Sequence, residues 1–366
     1  MKKTAFVLFF FCFGLVYGQQ EQQKRYAVEM NYFYGNILEH NPHISHLITG
    51  HPEGLLLSVS QKTNGREAWE SRYNYPDVGF SFTYQDMKNQ YLGDNYGIYA
   101  HLGFYFLNRN LLFKVGQGLA MTTNPYHPDD NYINNAYGSR IMSSTFFSGN
   151  FVRENIFRGI GFQAGLSLVH YSNADFKSPN NSTNTVAVNV GLNYLLDHEK
   201  PMKYIPKASE ERYTEPVHFN FVLRSGFNTI GIIGSESYPF LTFSAYADKT
   251  ISRKSTLQAG AEFFLSRAME EYIYYQSVTF AFGDTEGDED SRRVGAFIGH
   301  QLTFRKLSVI THAGYYVYYP YDNYVDPLYL RVGLQRPIYK DLFGSVTVRA
   351  HGANAEAVEF SIGYRL

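Results

Sequence analysis

Along the C-terminal residues, Val358, Phe360, Ile362, Tyr364 and Leu366 alternate with Ala357, Glu359, Ser361, Gly363 and Arg365. Side chains repeat every two residues along a strand, so this row is apolar on one face and polar on the other, as in a membrane-crossing β-strand. Val346, Val348 and Ala350 alternate in the same way with Ser345, Thr347, Arg349 and His351. The same reading predicts strands near 25–36, 53–61, 77–87, 96–107, 110–122, 139–152, 156–172 and 184–196. A second set is predicted near 215–228, 238–250, 254–267, 292–304, 307–319, 327–338, 342–351 and 356–366. Most reach the roughly 9–11 residues that a tilted strand needs to cross a bilayer.

The joins come in two kinds. Asn108-Arg109-Asn110, Arg305-Lys306 and the turn at Lys340 are tight, whereas 37–52, 123–138, 173–183 and 268–291 are long and polar. Outer-membrane barrels have short periplasmic turns and longer external loops. The expectation is therefore an all-β protein: one transmembrane antiparallel β-barrel of about sixteen strands (14–16), occupying residues 19–366 as a single domain. Segment 270–283 also reads as strand-like, but an odd strand count is avoided if it extends an external loop. Two joins, 62–76 and 197–214, are long yet fall on the periplasmic side.

Composition narrows the class. Of 366 residues, 32 are Tyr and 30 Phe, one is Trp, and 18% are charged, against about 25% in ordinary soluble domains. Lys and Arg number 32 against 33 Asp and Glu, a net charge of −1, so there is no basic face of the kind nucleic acids require. Lys2 and Lys3 precede an apolar run from Ala5 to Val16, and Tyr17-Gly18-Gln19 follows. This is the form of a secretory signal peptide over residues 1–18, cleaved after Gly18. The lone Cys12 lies inside it, which leaves the exported chain free of disulfides. Export and β-barrel patterning together predict the outer membrane.

One hairpin breaks the apolar rule. Phe162, Ala164, Leu166 and Leu168 form the lipid-facing row of one strand, and two further steps along it come His170 and Ser172. On the next strand Val186, Val188, Val190, Leu192, Tyr194 and Leu196 face lipid, and one step before them stands Asn184. The three polar residues thus share one face at the external end of a hairpin. Polar groups at membrane depth are costly and commonly functional. A serine hydroxyl is a weak nucleophile unless a base such as an imidazole adjoins it, and an amide can hold the ring's far nitrogen. The plain alternative is that these groups rest in the headgroup zone.

His170-Tyr171-Ser172-Asn173-Ala174, followed by Pro179-Asn180, resembles the signature of the lipid A 3-O-deacylase family, the outer-membrane acyloxyacyl hydrolases. That resemblance implies a barrel whose site faces lipid and whose partner is the lipid A of lipopolysaccharide, without a cofactor or metal. It makes Ser172 the nucleophile and His170 the base, with Asn173 and Asn180 as oxyanion donors. The family's best-described members place Glu fourteen residues after the His, where this chain has Asn184. An amide orients an imidazole but does not offset its positive charge. Gly is common at the position of Ser182. Asp175 is a possible substitute acid, while Glu356, although of lipid-facing parity, is rejected because the last strand lies far from the hairpin. Arg72-Tyr73-Asn74-Tyr75-Pro76-Asp77, Gly116-Gln117-Gly118-Leu119-Ala120, Asn134-Asn135-Ala136, His351-Gly352-Ala353 and Glu359 to Arg365 are similar to a longer subgroup of that family.

His40, His43, His46 and His51 crowd the first external loop. Their spacing is compatible with a zinc site, but a loop packing into the barrel mouth is the better expectation. Gly116-Gln117-Gly118 lies inside a strand and is no phosphate loop; its glycines suit a barrel bend. The rival function is a non-catalytic barrel, either a channel or transporter for apolar solutes, which would need a wide polar lumen, or a structural surface protein.

Overall fold

A computed structural model describes residues 24–366 apart from 281, 284 and 353. The expected signal peptide lies outside the described residues. Sixteen strands stand close to their expected positions. The first eight are β1 (Arg25–Ile37), β2 (Glu53–Lys62), β3 (Asp77–Asp86), β4 (Asp94–Phe106), β5 (Leu111–Thr122), β6 (Ile141–Phe157), β7 (Ile160–Ser172) and β8 (Thr183–Leu195). The second eight are β9 (Val217–Asn228), β10 (Tyr238–Ser252), β11 (Ser255–Ser266), β12 (Arg293–Phe304), β13 (Leu307–Tyr318), β14 (Leu328–Tyr339), β15 (Leu342–His351) and β16 (Asn354–Arg365).

Closure differs from expectation. β8 pairs back onto β1, from Ala27↔Leu195 to Ile37↔Thr185, and β16 pairs onto β9, from Phe360↔Ser225 to Arg365↔Asn220. The single sixteen-strand barrel over 19–366 is therefore replaced by two closed antiparallel barrels of eight strands. The side chains explain why. Eight strands enclose a space that side chains just fill, whereas sixteen leave a water channel. In the first barrel Lys114 of β5 reaches Glu29 of β1, four strands away, at 2.8 Å to both carboxylate oxygens. Gln163 also joins Glu29 and Asn31. In the second, Arg331 bridges Glu262 at 2.7 Å and Glu359 at 2.5 Å, while Arg293 and Arg349 hold Glu356 at 2.7 and 2.9 Å. Only a narrow ring lets such residues meet across its axis. Among the described residues these bridges cross the interior of both rings, where the channel alternative needs a wide polar lumen.

Outside, the alternation is as expected: Leu166, Val188, Phe219 and Ile298 stand 61%, 60%, 59% and 70% exposed. The awkward join 197–214 is the connection between the barrels. The other, 62–76, contains α1 (Ala68–Arg72) and meets the second barrel. Tyr73 donates to the Thr303 carbonyl at 2.9 Å, and Glu67 pairs with Arg305 at 2.6 Å.

Part of segment 270–283 is helical rather than a bare loop extension: α2 spans Arg267–Thr279 and stands between β11 and β12. Its Tyr-Ile-Tyr-Tyr run has strand propensity, but the Ser266 side chain caps Met269 N and Arg267 pairs with Glu270 and Glu271 one turn on. Met269 and Ile273 then bury against Tyr321.

Candidate active site

β7 and β8 pair so that His170 lies directly opposite Asn184. The ring donates from Nδ1 to Asn184 Oδ1 at 2.8 Å. Because an amide oxygen only accepts, this bond fixes the proton on Nδ1 and leaves Nε2 as the basic nitrogen. His170 faces outward at the external end of β7, continuous with the exposed Phe162 and Leu166.

Ser172 closes β7 and is 5% exposed. Its hydroxyl donates to Asn180 Oδ1 at 3.1 Å and accepts from the Ala174 N–H at 2.9 Å. Asn180 Oδ1 also accepts from the Asn173 N–H at 2.9 Å, and Asn173 Nδ2 donates to the Lys177 carbonyl at 2.6 Å. The structure thus brings Ser172, Asn173 and Asn180 together. It does not join Ser172 to His170 by a hydrogen bond, and the oxygen of Asn180, rather than its N–H, meets the serine.

Loop 173–182 is held from two sides. On the first barrel, Asn181 N and Ser182 N donate to the Asn135 and Ala136 carbonyls, each at 3.2 Å, and Asn41 Nδ2 donates to Asn181 Oδ1 at 3.1 Å. Ser182 has φ +54, a left-handed conformation that Gly adopts more readily than Ser. Its hydroxyl meets His40 Nε2 at 3.1 Å. On the second barrel, Asp175 receives the Thr229 hydroxyl at 2.9 Å and its N–H at 3.3 Å, Ser178 bonds Thr229 at 2.8 Å, and Ser237 donates to the Phe176 carbonyl at 2.6 Å. Asp175 is therefore no substitute for the absent Glu: it turns to Thr229, not to His170. Burial raises its pKa to about 7, against the lowering effect of the Thr229 bonds.

Glu356 does not face lipid. A β-bulge between β15 and β16 shifts the register at Ala350, so Glu356 turns into the second barrel and binds Arg293, Arg349 and His351. The histidine loop packs into the first barrel's mouth as expected. Its 3-10 turn at Pro42–Leu47 buries Ile44 and Leu47 against Met87, Leu92 and Tyr137. His46 meets the Ile133 carbonyl at 3.0 Å and His51 meets Asn36; among the described residues no group of three metal-binding side chains forms. Sequence reasoning missed the support from Thr229 and Ser237, which no local pattern announces, and it gave Gln117 no role of its own beyond its place in the Gly116–Ala120 segment.

Residues 53–193 match the family described as Lipid A 3-O-deacylase (PagL), and residues 217–366 match PagL_C, the Acyloxyacyl hydrolase, C-terminal domain. The first match lies within the first barrel and includes His170, Ser172 and Asn184; the second coincides with the second barrel. A search of curated proteins finds no match. Among solved structures the chain is similar to the KdgM porin, at 8% identity over 92% of this chain and 98% of that one, with a TM-score of 0.19. It is also similar to a triple mutant of the Rh. blastica porin, at 8% identity over 93% and 99%, with a TM-score of 0.20. Such loose superpositions carry no argument. Strand pairing and the family matches together define a class, an outer-membrane β-barrel hydrolase. The chain belongs to the acyloxyacyl hydrolase family, the lipid A 3-O-deacylases.

Proposed function

We propose that Ser172 and His170 carry out the family's reaction, removal of an ester-linked acyl chain from lipid A of lipopolysaccharide. The observation that carries this reading is the outward-facing His170, held through Nδ1 by Asn184 two residues from Ser172, on the wall that meets the outer leaflet. Lipid diffuses laterally to that wall. Ser172 Oγ attacks the ester carbonyl while His170 Nε2 takes its proton. The tetrahedral oxyanion is received by the Asn173 N–H and the Asn180 amide once Ser172 leaves the Asn180 oxygen. Collapse breaks the bond to the sugar oxygen, which takes the proton from His170. Water, deprotonated by His170, then frees the fatty acid and restores Ser172. Export through the signal peptide, cut after Gly18, belongs to the same reading, and N-terminal sequencing of the membrane-inserted protein checks it.

Lipid A mass spectrometry on cells expressing wild type, Ser172→Ala or His170→Asn tests the chemistry. Wild type is expected to yield lipid A lacking one acyl chain, and the variants intact lipid A. Deacylation by Ser172→Ala at the wild-type rate would remove Ser172 from the mechanism.

A further inference from the structure

The polar interruption of the lipid-facing wall does not stop at the hairpin. Gln117, Thr145, His170 and Asn184 are direct cross-strand partners on β5, β6, β7 and β8, one unbroken row. Ser143 lies beside it, opposite Ser172. Gln117 belongs to the outward row of Phe113, Leu119 and Met121, which are 41%, 57% and 44% exposed. Thr145 and Ser143 share their row with the exposed Ile141 and Phe147. Gln117 accepts from Thr145 Oγ1 at 2.5 Å and donates to Ser143 Oγ at 3.0 Å.

The row descends into the membrane. Asn184 stands one residue from the external end of its strand, His170 two, Thr145 four and Gln117 five. At about 3.3 Å per residue and a tilt near 45°, Gln117 sits roughly 12 Å below the strand end, where an acyl chain, not a sugar, passes. By the same measure Thr145 lies about 9 Å and Ser143 about 5 Å below the strand end, and the Gln117 amide reaches up to Ser143. An amide and two hydroxyls facing hydrocarbon at these depths are costlier than Leu or Val, and, pointing outward, they contribute nothing to the barrel interior. Adjacent strands are about 4.8 Å apart. An acyl chain whose ester carbonyl lies at Ser172 therefore carries its next few carbons past Thr145 and Gln117.

Resting on the reading of Ser172 as nucleophile, we infer that Gln117, Thr145 and Ser143 form a subsite for a hydroxyl group on the acyl chain, within a few carbons of the scissile ester. An amide offers both a donor and an acceptor, as does each hydroxyl, which suits a group that also donates and accepts. The set is uncharged, so a phosphate is not its ligand. Gln117, Thr145 and Ser143 bond one another when nothing else is offered. A hydroxylated chain adds hydrogen bonds to this set, while a plain chain only covers it and removes it from water, so the subsite selects the chain to be cut.

Purified full-length protein in detergent micelles, given two acyl esters identical except for a hydroxyl at carbon 3 of the acyl chain, tests this. Wild type is expected to prefer the hydroxylated ester in kcat/KM by about tenfold or more, and Gln117→Leu and Thr145→Val to bring that ratio near one, whatever their absolute rates. An unchanged ratio in both variants would overturn the subsite. Ser172→Ala is run in parallel: wild-type hydrolysis by it defeats the catalytic reading, not the subsite. Native mass spectrometry then compares binding of both esters to Ser172→Ala and to Ser172→Ala combined with Gln117→Leu. Loss of the preference for the hydroxylated ester in the double variant supports the subsite; equal preference in both rejects it.

Discussion

At the scale of single residues, the departure from the family pattern is Asn184. Its oxygen holds the His170 tautomer at 2.8 Å but carries no charge to offset the imidazolium that the proposed attack by Ser172 would form. Asn184→Ala removes the orientation and is expected to lower kcat by about 10- to 100-fold. Asn184→Glu supplies the missing charge and is expected to raise kcat by about tenfold. Rates on a micellar acyl ester decide the matter, and two variants indistinguishable from wild type would exclude Asn184 from the site. His170, Ser172 and Asn184 were legible because period-2 parity is local: one hairpin suffices to show that all three share a face. Glu356 misled the same argument, since one bulge reverses every side chain beyond it.

Among the elements, loop 173–182 is the piece on which both barrels converge. Thr229 fastens Asp175 and Ser178, so Thr229→Val is expected to loosen the loop and raise amide exchange at 173–182. The Asp175 carboxyl, raised by burial from 3.8 to about 7, titrates this docking. Its protonated form is the one the folded loop favours, so the stabilisation is complete below about pH 4 and is lost as pH rises through about 7. Protection of the loop amides, measured relative to their intrinsic exchange rate at each pH, should therefore fall across that window in wild type and stay level in Asp175→Asn; wild-type protection indifferent to pH would contradict the assignment. Nothing in the segment from Asn173 to Ser182 foretells this, because its partners on the second barrel are some fifty residues away in sequence. In α2 a local signal, the Ser266 cap, and a distant one, docking against Tyr321, together overrode tyrosine-rich strand propensity.

For the whole molecule, two narrow barrels in place of one wide barrel turn the interior into a set of cross-ring ion pairs. Arg331 lies between Glu262 and Glu359 with all three side chains at 0% exposure. Arg331→Met removes the nearest cation from two buried carboxylates, leaving Glu262 to Arg224 at 3.7 Å and Glu359 to Arg349 at 3.4 Å. It is expected to cost about 3 kcal/mol, read as a lower urea midpoint for the second barrel in micelles. A midpoint equal to wild type would show that this network contributes little. The division of labour that emerges places the Ser172 hairpin on the first barrel and, through Thr229 and Ser237, its loop support on the second.

Alternation along the chain, by itself, determined sixteen antiparallel strands, their lipid-facing rows and the position of the polar trio, because the two-residue repeat of an extended backbone needs only neighbours in sequence. Which strand closes onto which was decided by the tertiary structure alone. β1 meets β8 instead of β16 because Glu29 and Lys114 bridge a ring eight strands round, and no local pattern encodes the diameter of a ring.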